Sequence, residues 1–498
     1  MSLSRRSFLG AAAATGFIAA GTAAHANASS LSSLSSSNGF GQPGLSSGRK
    51  KAPLLNNIVD DQKLALPKGF KANRVSTIGV EDLLDDKGGA VVGKIPSNLD
   101  GTGAIPAAAG TILIRNHECR SNADVPVPLV EGTIYDAGCA TGMGGNTNVE
   151  VDAMGNFVQQ WVALSGTIRN CAGGETPWGT WLACEEDTTK AGTEVVSSVD
   201  GKTYVTEKDH GYVFEVFPGG VADQLPMPIK AWGRAVWEGA AIDPSLTKAY
   251  ITEDTGGGLF YRWIAPEGTK IGARIAEQFG ENDGILQAAK LVKDGKDLIH
   301  YSELTEADKG KAYPVTWVHG GEDRQAQNSD LRAQFPGATV HPKIEGCWPD
   351  ANGLWFTLSY TNQKQLDQYP SITELDSGMI MYYSFADETL TLKEYYPADN
   401  SMGGVVPNHP TEEIKQFHGP DNITVTPWGG VVTTEDGDNP CSLIAYNDSF
   451  GSREIARDLA DRGEWAGPAF DKSGMILFAS VQGDCTYAIS GPFVSICK

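Results

Sequence analysis

Short apolar runs that end on acidic or polar tips recur along the chain. Residues 109–115 run into Asn116, His117 and Glu118, and residues 180–184 into Glu185, Glu186 and Asp187. Residues 248–252 run into Glu253 and Asp254, and residues 429–434 into Glu435 and Asp436. Residues 353–361 keep the outline with polar residues in place of the acids. A glycine or polar loop follows each, then a second run rich in aromatics, at 210–216, 257–263, 377–383 and 441–446. Runs of this length, bounded by such turns, predict strands. Glu118 and Glu186 are 68 positions apart, and Glu186 and Glu253 are 67. A repeated strand pair with its acidic tip always at the same end predicts a radially arranged all-β fold, because no single hairpin can bury its faces alone. Tips that converge on one end would gather acids from distant sequence into one pocket.

Within 66–79 a turn at Pro67–Gly69 is followed by an alternating segment that, like the run 161–164, predicts strand, and residues 85–103 predict a loop. Helices are expected at 282–293, where Ile285, Ala288, Ala289 and Leu291 give a partly apolar face, and at 411–416 and 452–463, the last capped by Ser452 and stopped by Gly463.

Ser4-Arg5-Arg6-Ser7-Phe8-Leu9 precedes an apolar run that is too short for a membrane span and ends at Ala24-His25-Ala26. This predicts a twin-arginine signal over 1–26, use of the corresponding export machinery, and no stable membrane insertion. Residues 27–65 read as a flexible Ser/Gly-rich segment with a lead-in, and 66–498 as one folded catalytic domain. The net charge of -22 argues against non-specific binding to nucleic acid or anionic membranes. Eight cysteines without CxxC spacing exclude zinc-finger and thioredoxin readings.

The densest candidate chemistry lies at 169–187. Cys171 sits on a glycine-rich turn ahead of Glu185, Glu186 and Asp187, as polynuclear metal sites require of their donors. Cys171 is either such a ligand or one half of a disulfide. Glu238 lies among small and apolar residues, where a carboxylate is costly unless paired or bound to metal; the alternative is a surface Glu at a strand start. Lys343 and Glu345 are two apart, hence on one face of a strand, one suited to a substrate anion and the other to a metal. Asp421 follows His418 ahead of the strand that ends at Glu435. The glycines at 142–146 lack the strand and helix context of a dinucleotide site and carry no Walker lysine.

These stretches resemble the PhoX-type alkaline phosphatase family. The resemblance is carried by NHE at 116–118, RNCAGGETPWGTWLACEED at 169–187, HGYVFEV at 210–216, the GR, EGAAIDP, YITED and LFYRW run, IEGCW at 344–348, PDN at 420–422 and ISGPF at 489–493. It implies an exported, periplasmic or secreted phosphomonoesterase with a six-bladed β-propeller that holds two iron (Fe3+) and three calcium ions (Ca2+) at one end. Cys171 resembles the family's thiolate ligand to iron, and Glu238 and Glu345 its iron-linked and calcium-linked carboxylates. Asp421 matches a further ligand position, and Glu118, Glu185 and Glu186 the calcium shell. A thiolate with hard carboxylates suits such a mixed metal set.

Two positions depart from the pattern. Trp237 stands where many relatives have His, and Lys343 where the family has an Arg that holds phosphate; a lysine attracts the same anion as a flexible point charge rather than a planar fork. The expected activity is metal-assisted hydrolysis of a small phosphomonoester, with Lys343 and Glu345 at the reacting group and the protein acting as a monomer. The alternatives are a propeller phosphodiesterase, phosphotriesterase or lactonase, and a non-catalytic exported calcium-binding propeller. A redox propeller finds no CxxCH haem attachment.

Overall fold

Each apolar run that ends on an acidic tip folds as the second strand of a hairpin, and the strand paired before it faces the molecular axis. The computed structural model describes residues 55–61, 63–139, 144–197, 200–398, 417–436, 441–460 and 462–497. The export signal, most of the Ser/Gly-rich tract and the helix expected at 411–416 lie outside the described residues. The axial strands are β1 (Leu99–Ala107), β2 (Asn170–Glu175), β3 (Trp237–Ile242), β4 (Ile344–Pro349), β5 (Pro420–Val425) and β6 (Trp465–Phe470). They pack side by side in that order, and β6 returns to β1.

Hydrogen bonding corrects the expectation of a six-bladed propeller: the described strands form four blades and a near-closed nine-stranded barrel. The blades are the sheets that begin on β1, β2, β5 and β6, with six, three, six and four strands. The barrel is one continuous path from β3 through Lys248–Glu253, Gly258–Ile264, Ile285–Lys293, Ala312–His319, Thr389–Pro397, Asp376–Ser384 and Gly353–Leu358 to β4. The cause is the strand Ala312–His319. Its later residues pair with Ile285–Lys293 (Gln287↔His319 to Leu291↔Val315) and its first three with Thr389–Pro397 (Ala312↔Thr391 to Pro314↔Thr389). That single strand fuses two hairpin stacks that would otherwise be separate blades. The ends of the path meet at Gly239, where a Cβ would lie 2.8 Å from the Cys347 nitrogen, so only glycine fits. The barrel thus supplies two neighbouring strands, β3 and β4, to the axial wall.

The helix expected at 282–293 is instead the strand Ile285–Lys293. Leu286 and Ala288 enter one apolar core and Ala289 and Leu291 another, so both faces are buried at period two and the local helical preference is overridden. The helix expected at 452–463 is the strand Gly451–Asp458, hydrogen-bonded on one side to Ser442–Asn447 and on the other to Leu64–Leu66. The expected loop at 85–103 contains the strand Val91–Lys94 and the start of β1. The early strand Lys71–Thr77 closes the last blade by pairing with Cys485–Ser490. Arg74 ties this closure together, with Nη2 2.9 Å from Asp60 and 2.8 Å from Asp484. No helix among the described residues is long and apolar enough to cross a membrane.

A buried acid away from the axis sets a pH dependence. Burial raises the Asp376 carboxyl to about 6, despite hydrogen bonds from Ser302 and Thr361. A carboxyl whose folded pKa is raised stabilises fully below its unfolded value near 3.8, and that contribution is lost as pH rises through about 6. The loss is at most about 3 kcal/mol. Asp376→Asn, which fixes the neutral form, is therefore expected to raise Tm by a few degrees at pH 8 and by nothing at pH 4, read by calorimetry at both values. Equal shifts at the two pH values would contradict this account.

Candidate metal centre

Every axial strand carries a one-residue β-bulge at the same height. Pairing shifts between Leu99 and Thr102, Asn170 and Gly173, Trp237 and Ala240, Ile344 and Cys347, Pro420 and Ile423, and Ala466 and Ala469. In each case three steps on the axial strand face two on its partner. A bulge leaves one residue outside the ladder and re-aims its side chain. The second residue of each bulge is Asp100, Cys171, Glu238, Glu345, Asp421 and Gly467 in turn: five donors around the axis and one glycine. A small residue follows at Gly101, Ala172, Gly239 and Gly346, which lets the neighbouring strand approach; a Cβ on Gly101 would lie 2.6 Å from the Ala172 Cα.

A second tier lies at the ends of the partner strands. Glu118, Glu186, Asp254, Ser359, Asp436 and Gln482 each donate their backbone N–H to the residue just before the axial strand, namely Asn98, Arg169, Val236, Lys343, Gly419 and Glu464. The repeated bond places Glu118, Glu186, Asp254 and Asp436 above the bulge donors and sets Arg169, Lys343 and Glu464 at the rim.

Three donor groups follow from this stacking, each with its ligand atoms within 4.8 Å of one another: Asp100, Glu118 and Cys171; Cys171, Glu186 and Glu238; and Glu238, Glu345 and Asp421. Adjacent groups share Cys171 and Glu238. The Cys171 thiol donates to Glu186 Oε2 at 2.6 Å. Arg169 donates to Glu118 Oε1 at 2.7 Å and also to Glu186. Lys343 Nζ lies 2.8 Å from Asp436 Oδ2 and 3.1 Å from Glu345 Oε1. Gln482 Nε2 donates to Glu118 at 2.9 Å and to Glu464 at 2.7 Å. A small, partly open cavity lined by Gly101, Ala172, Gly346, Asn422 and Gly467 with Trp181 and Trp348 runs along the bulges.

The electrostatics demand more positive charge than the side chains provide. Burial, then Asp421 and Glu345, push the Glu238 carboxyl well above the usual range; burial, then Glu345 and Asp100, do the same to Asp421. Asp254 is raised to about 8 by burial and by Glu345. Burial raises the Cys171 thiol far above its ordinary value, and Glu118, Glu186 and Glu238 add to it. Burial alone would lower Lys343, but Glu345, Asp254 and Asp436 hold it firmly protonated. Arg169 and Lys343 cannot neutralise all these carboxylates, whereas multivalent cations can. One sulfur among many carboxylate oxygens makes the ring a donor set able to hold metal ions.

Of the residues read from sequence, the structure brings Cys171, Glu118, Glu186, Glu238, Glu345, Asp421 and Lys343 to this centre. Glu185 is not among them. Its carboxylate accepts from the backbone N–H groups of Ile168, Gly211 and Tyr212 and contacts His210, on the other side of its strand end. Cys171 is a free thiol, as are Cys119, Cys139, Cys184, Cys347 and Cys485. Sequence reasoning missed Asp100, Arg169 and Glu464, and treated Asp254 and Asp436 only as strand tips. Asp100 had a signal: Leu99-Asp100-Gly101 repeats the apolar, acidic, glycine order of Trp237-Glu238-Gly239 and Ile344-Glu345-Gly346.

The family model of alkaline phosphatase PhoX matches residues 52–160 and 155–483. The chain belongs to the alkaline phosphatase PhoX family. Membership makes it a phosphatase-type hydrolase and implies a small phosphoester substrate and a periplasmic or secreted location. Among solved structures, Pseudomonas fluorescens PhoX in complex with vanadate, a transition-state analogue, matches at TM-score 0.60 and 17% identity, over 88% of this chain and 97% of that one. A Xanthomonas campestris gluconolactonase aligns at TM-score 0.32 and 10% identity, covering 80% of this chain and 97% of its own. A Bacteroides thetaiotaomicron protein of unknown function aligns at 0.38 and 10%, covering 84% and 76%. No curated protein sequence matches.

Proposed function

We propose that this PhoX-family chain is an exported alkaline phosphatase that hydrolyses phosphomonoesters at the bulge-donor centre, with two iron and three calcium ions as its complement. The observation that carries this reading is the ring of Asp100, Cys171, Glu238, Glu345 and Asp421 on equivalent bulges, with more buried carboxylate than Arg169 and Lys343 can balance. The vanadate held by the Pseudomonas relative supports phosphoryl transfer as the chemistry.

Bound metal ions supply positive charge against the phosphoryl oxygens and acidify the attacking water. The chain's own residues do the rest. Cys171, Glu186 and Glu238 would hold the softer ions, and Glu345, Asp421, Asp100 and Glu118 the calcium. Lys343 holds a permanent charge at the rim, where a phosphoryl group would meet it as charge builds on the non-bridging oxygens. Arg169 fixes Glu118 and Glu186 relative to each other and so keeps two donors oriented without a change of charge. Trp181 and Trp348, whose ring centroids are 6.3 Å apart, wall the cavity behind the donors. Residues 66–498 act as one catalytic unit, as a monomer exported by the twin-arginine route.

The test is metal analysis of the native exported protein, with its visible spectrum and p-nitrophenyl phosphate turnover taken on the same sample. Iron and calcium in a ratio of about two to three are expected, as is loss of at least ninety-nine hundredths of the turnover on chelation, with recovery when calcium is returned. Full turnover in metal-free protein would sink the reading; metal without monoester turnover, together with diester cleavage, would replace it with a diesterase.

A further inference from the structure

Asp136, Cys139 and His210 form a donor group apart from the axial ring, with their ligand atoms within 4.8 Å of one another and all three side chains buried. His210 Nε2 lies 3.4 Å from Cys139 Sγ and 3.2 Å from Asp136 Oδ2. One imidazole N–H cannot make two full hydrogen bonds at once. These separations are instead close to those between neighbouring ligands of tetrahedral zinc, about 3.5 Å for sulfur to nitrogen and about 3.3 Å for nitrogen to oxygen, given bonds of roughly 2.3 Å to sulfur and roughly 2.0 Å to the others. The other ring nitrogen, Nδ1, is 2.7 Å from Glu185 Oε1. Glu185 is itself immobilised by the N–H groups of Ile168, Gly211 and Tyr212. A carboxylate on Nδ1 fixes the tautomer and turns Nε2 towards a metal, the usual support of a ligating histidine. Asp136 is oriented too, by the N–H groups of Gly138 at 2.7 Å and Lys208 at 3.0 Å.

We propose that Asp136, Cys139 and His210 bind one zinc-class divalent ion that pins the 133–139 loop to the strand end at Glu185, with Glu185 as the positioning residue. Binding displaces the Cys139 thiol proton and the second imidazole proton of His210 to solvent, so the three donors become thiolate, neutral imidazole and carboxylate around a doubly charged ion. Without metal, burial would lower His210, but Glu185 and Asp136 push it up to about 12, so the metal-free cluster is a charged histidine between carboxylates. This role gives Glu185 a function distinct from its neighbour Glu186, which faces the ring.

The experiment compares zinc content in full-length wild-type and Cys139→Ser protein, each equilibrated with micromolar zinc and then desalted. Wild type is expected to retain about one equivalent more than the variant. Zinc-edge X-ray absorption of wild type should show one sulfur neighbour at about 2.3 Å, and Cys171→Ser protein should keep that signal. Equal zinc in wild type and Cys139→Ser, a spectrum without sulfur, or a sulfur signal lost with Cys171 would each overturn the proposal. If Cys139→Ser does not fold, the two absorption spectra decide.

Discussion

Cys171→Ser is expected to lower kcat/KM for p-nitrophenyl phosphate by on the order of a thousandfold and to remove the visible absorption of the loaded protein. The reason is the cost of charge in this position. The thiol is buried among Glu118, Glu186 and Glu238, which push its proton affinity far up, so it can exist as thiolate only where a metal replaces the proton. A serine hydroxyl is harder still to ionise and offers a hard oxygen in place of the single soft donor shared by two of the donor groups. Both groups would therefore load poorly. Metal analysis and the spectrum check the mechanism separately from activity. A serine variant with full metal content, the original colour and unchanged turnover would show that Cys171 is a packing residue.

Lys343 is the second position of large effect. Its ammonium group is held between Glu345 and Asp436 and lies over the Tyr360 ring at 5.5 Å from the centroid, a charge aimed along the rim. In the role proposed for Lys343, Lys343→Ala would remove the phosphoryl grip and the ion pairs with Glu345 and Asp436, and a fall in kcat/KM of about a hundredfold is expected, with weaker competitive inhibition by phosphate. Lys343→Arg is expected to raise kcat/KM two- to tenfold by roughly the value of a planar, bidentate contact. Steady-state kinetics with phosphate and vanadate as inhibitors distinguish grip from folding, because a folding defect lowers active protein without altering the inhibition constants. An alanine variant with normal inhibition by both anions would take Lys343 out of the substrate's path.

The acidic tips were legible because a carboxylate ends a buried strand only where something compensates it. Lys343 and Glu345 were legible because residues two apart share a face. The bulges were not, because a bulge is a register difference between two strands; its one local mark here, an acid between an apolar residue and a glycine, went unused at 99–101, and Asp100 was lost inside an expected loop. Glu185 and Glu186 looked equivalent in sequence, yet alternation sends one to the ring and the other to His210. The strands at 285–293 and 451–458 were mistaken for helices because Ala, Leu, Lys, Glu and Arg favour helix locally, while pairing on both edges decided otherwise. The barrel depends on Ala312–His319 pairing with a strand more than seventy residues later, which no local pattern encodes.

Closure of the last blade by Lys71–Thr77 bears on when the centre can exist. Arg74 and Asp484 are 410 residues apart, and the sheet that carries β6 is complete only when Cys485–Ser490 pairs with Lys71–Thr77. Nearly the whole chain must leave the ribosome before the ring closes, so the axial donors come together only after synthesis. Loss of the final strand would leave a polypeptide able to form its early hairpins yet unable to close the ring around the axis.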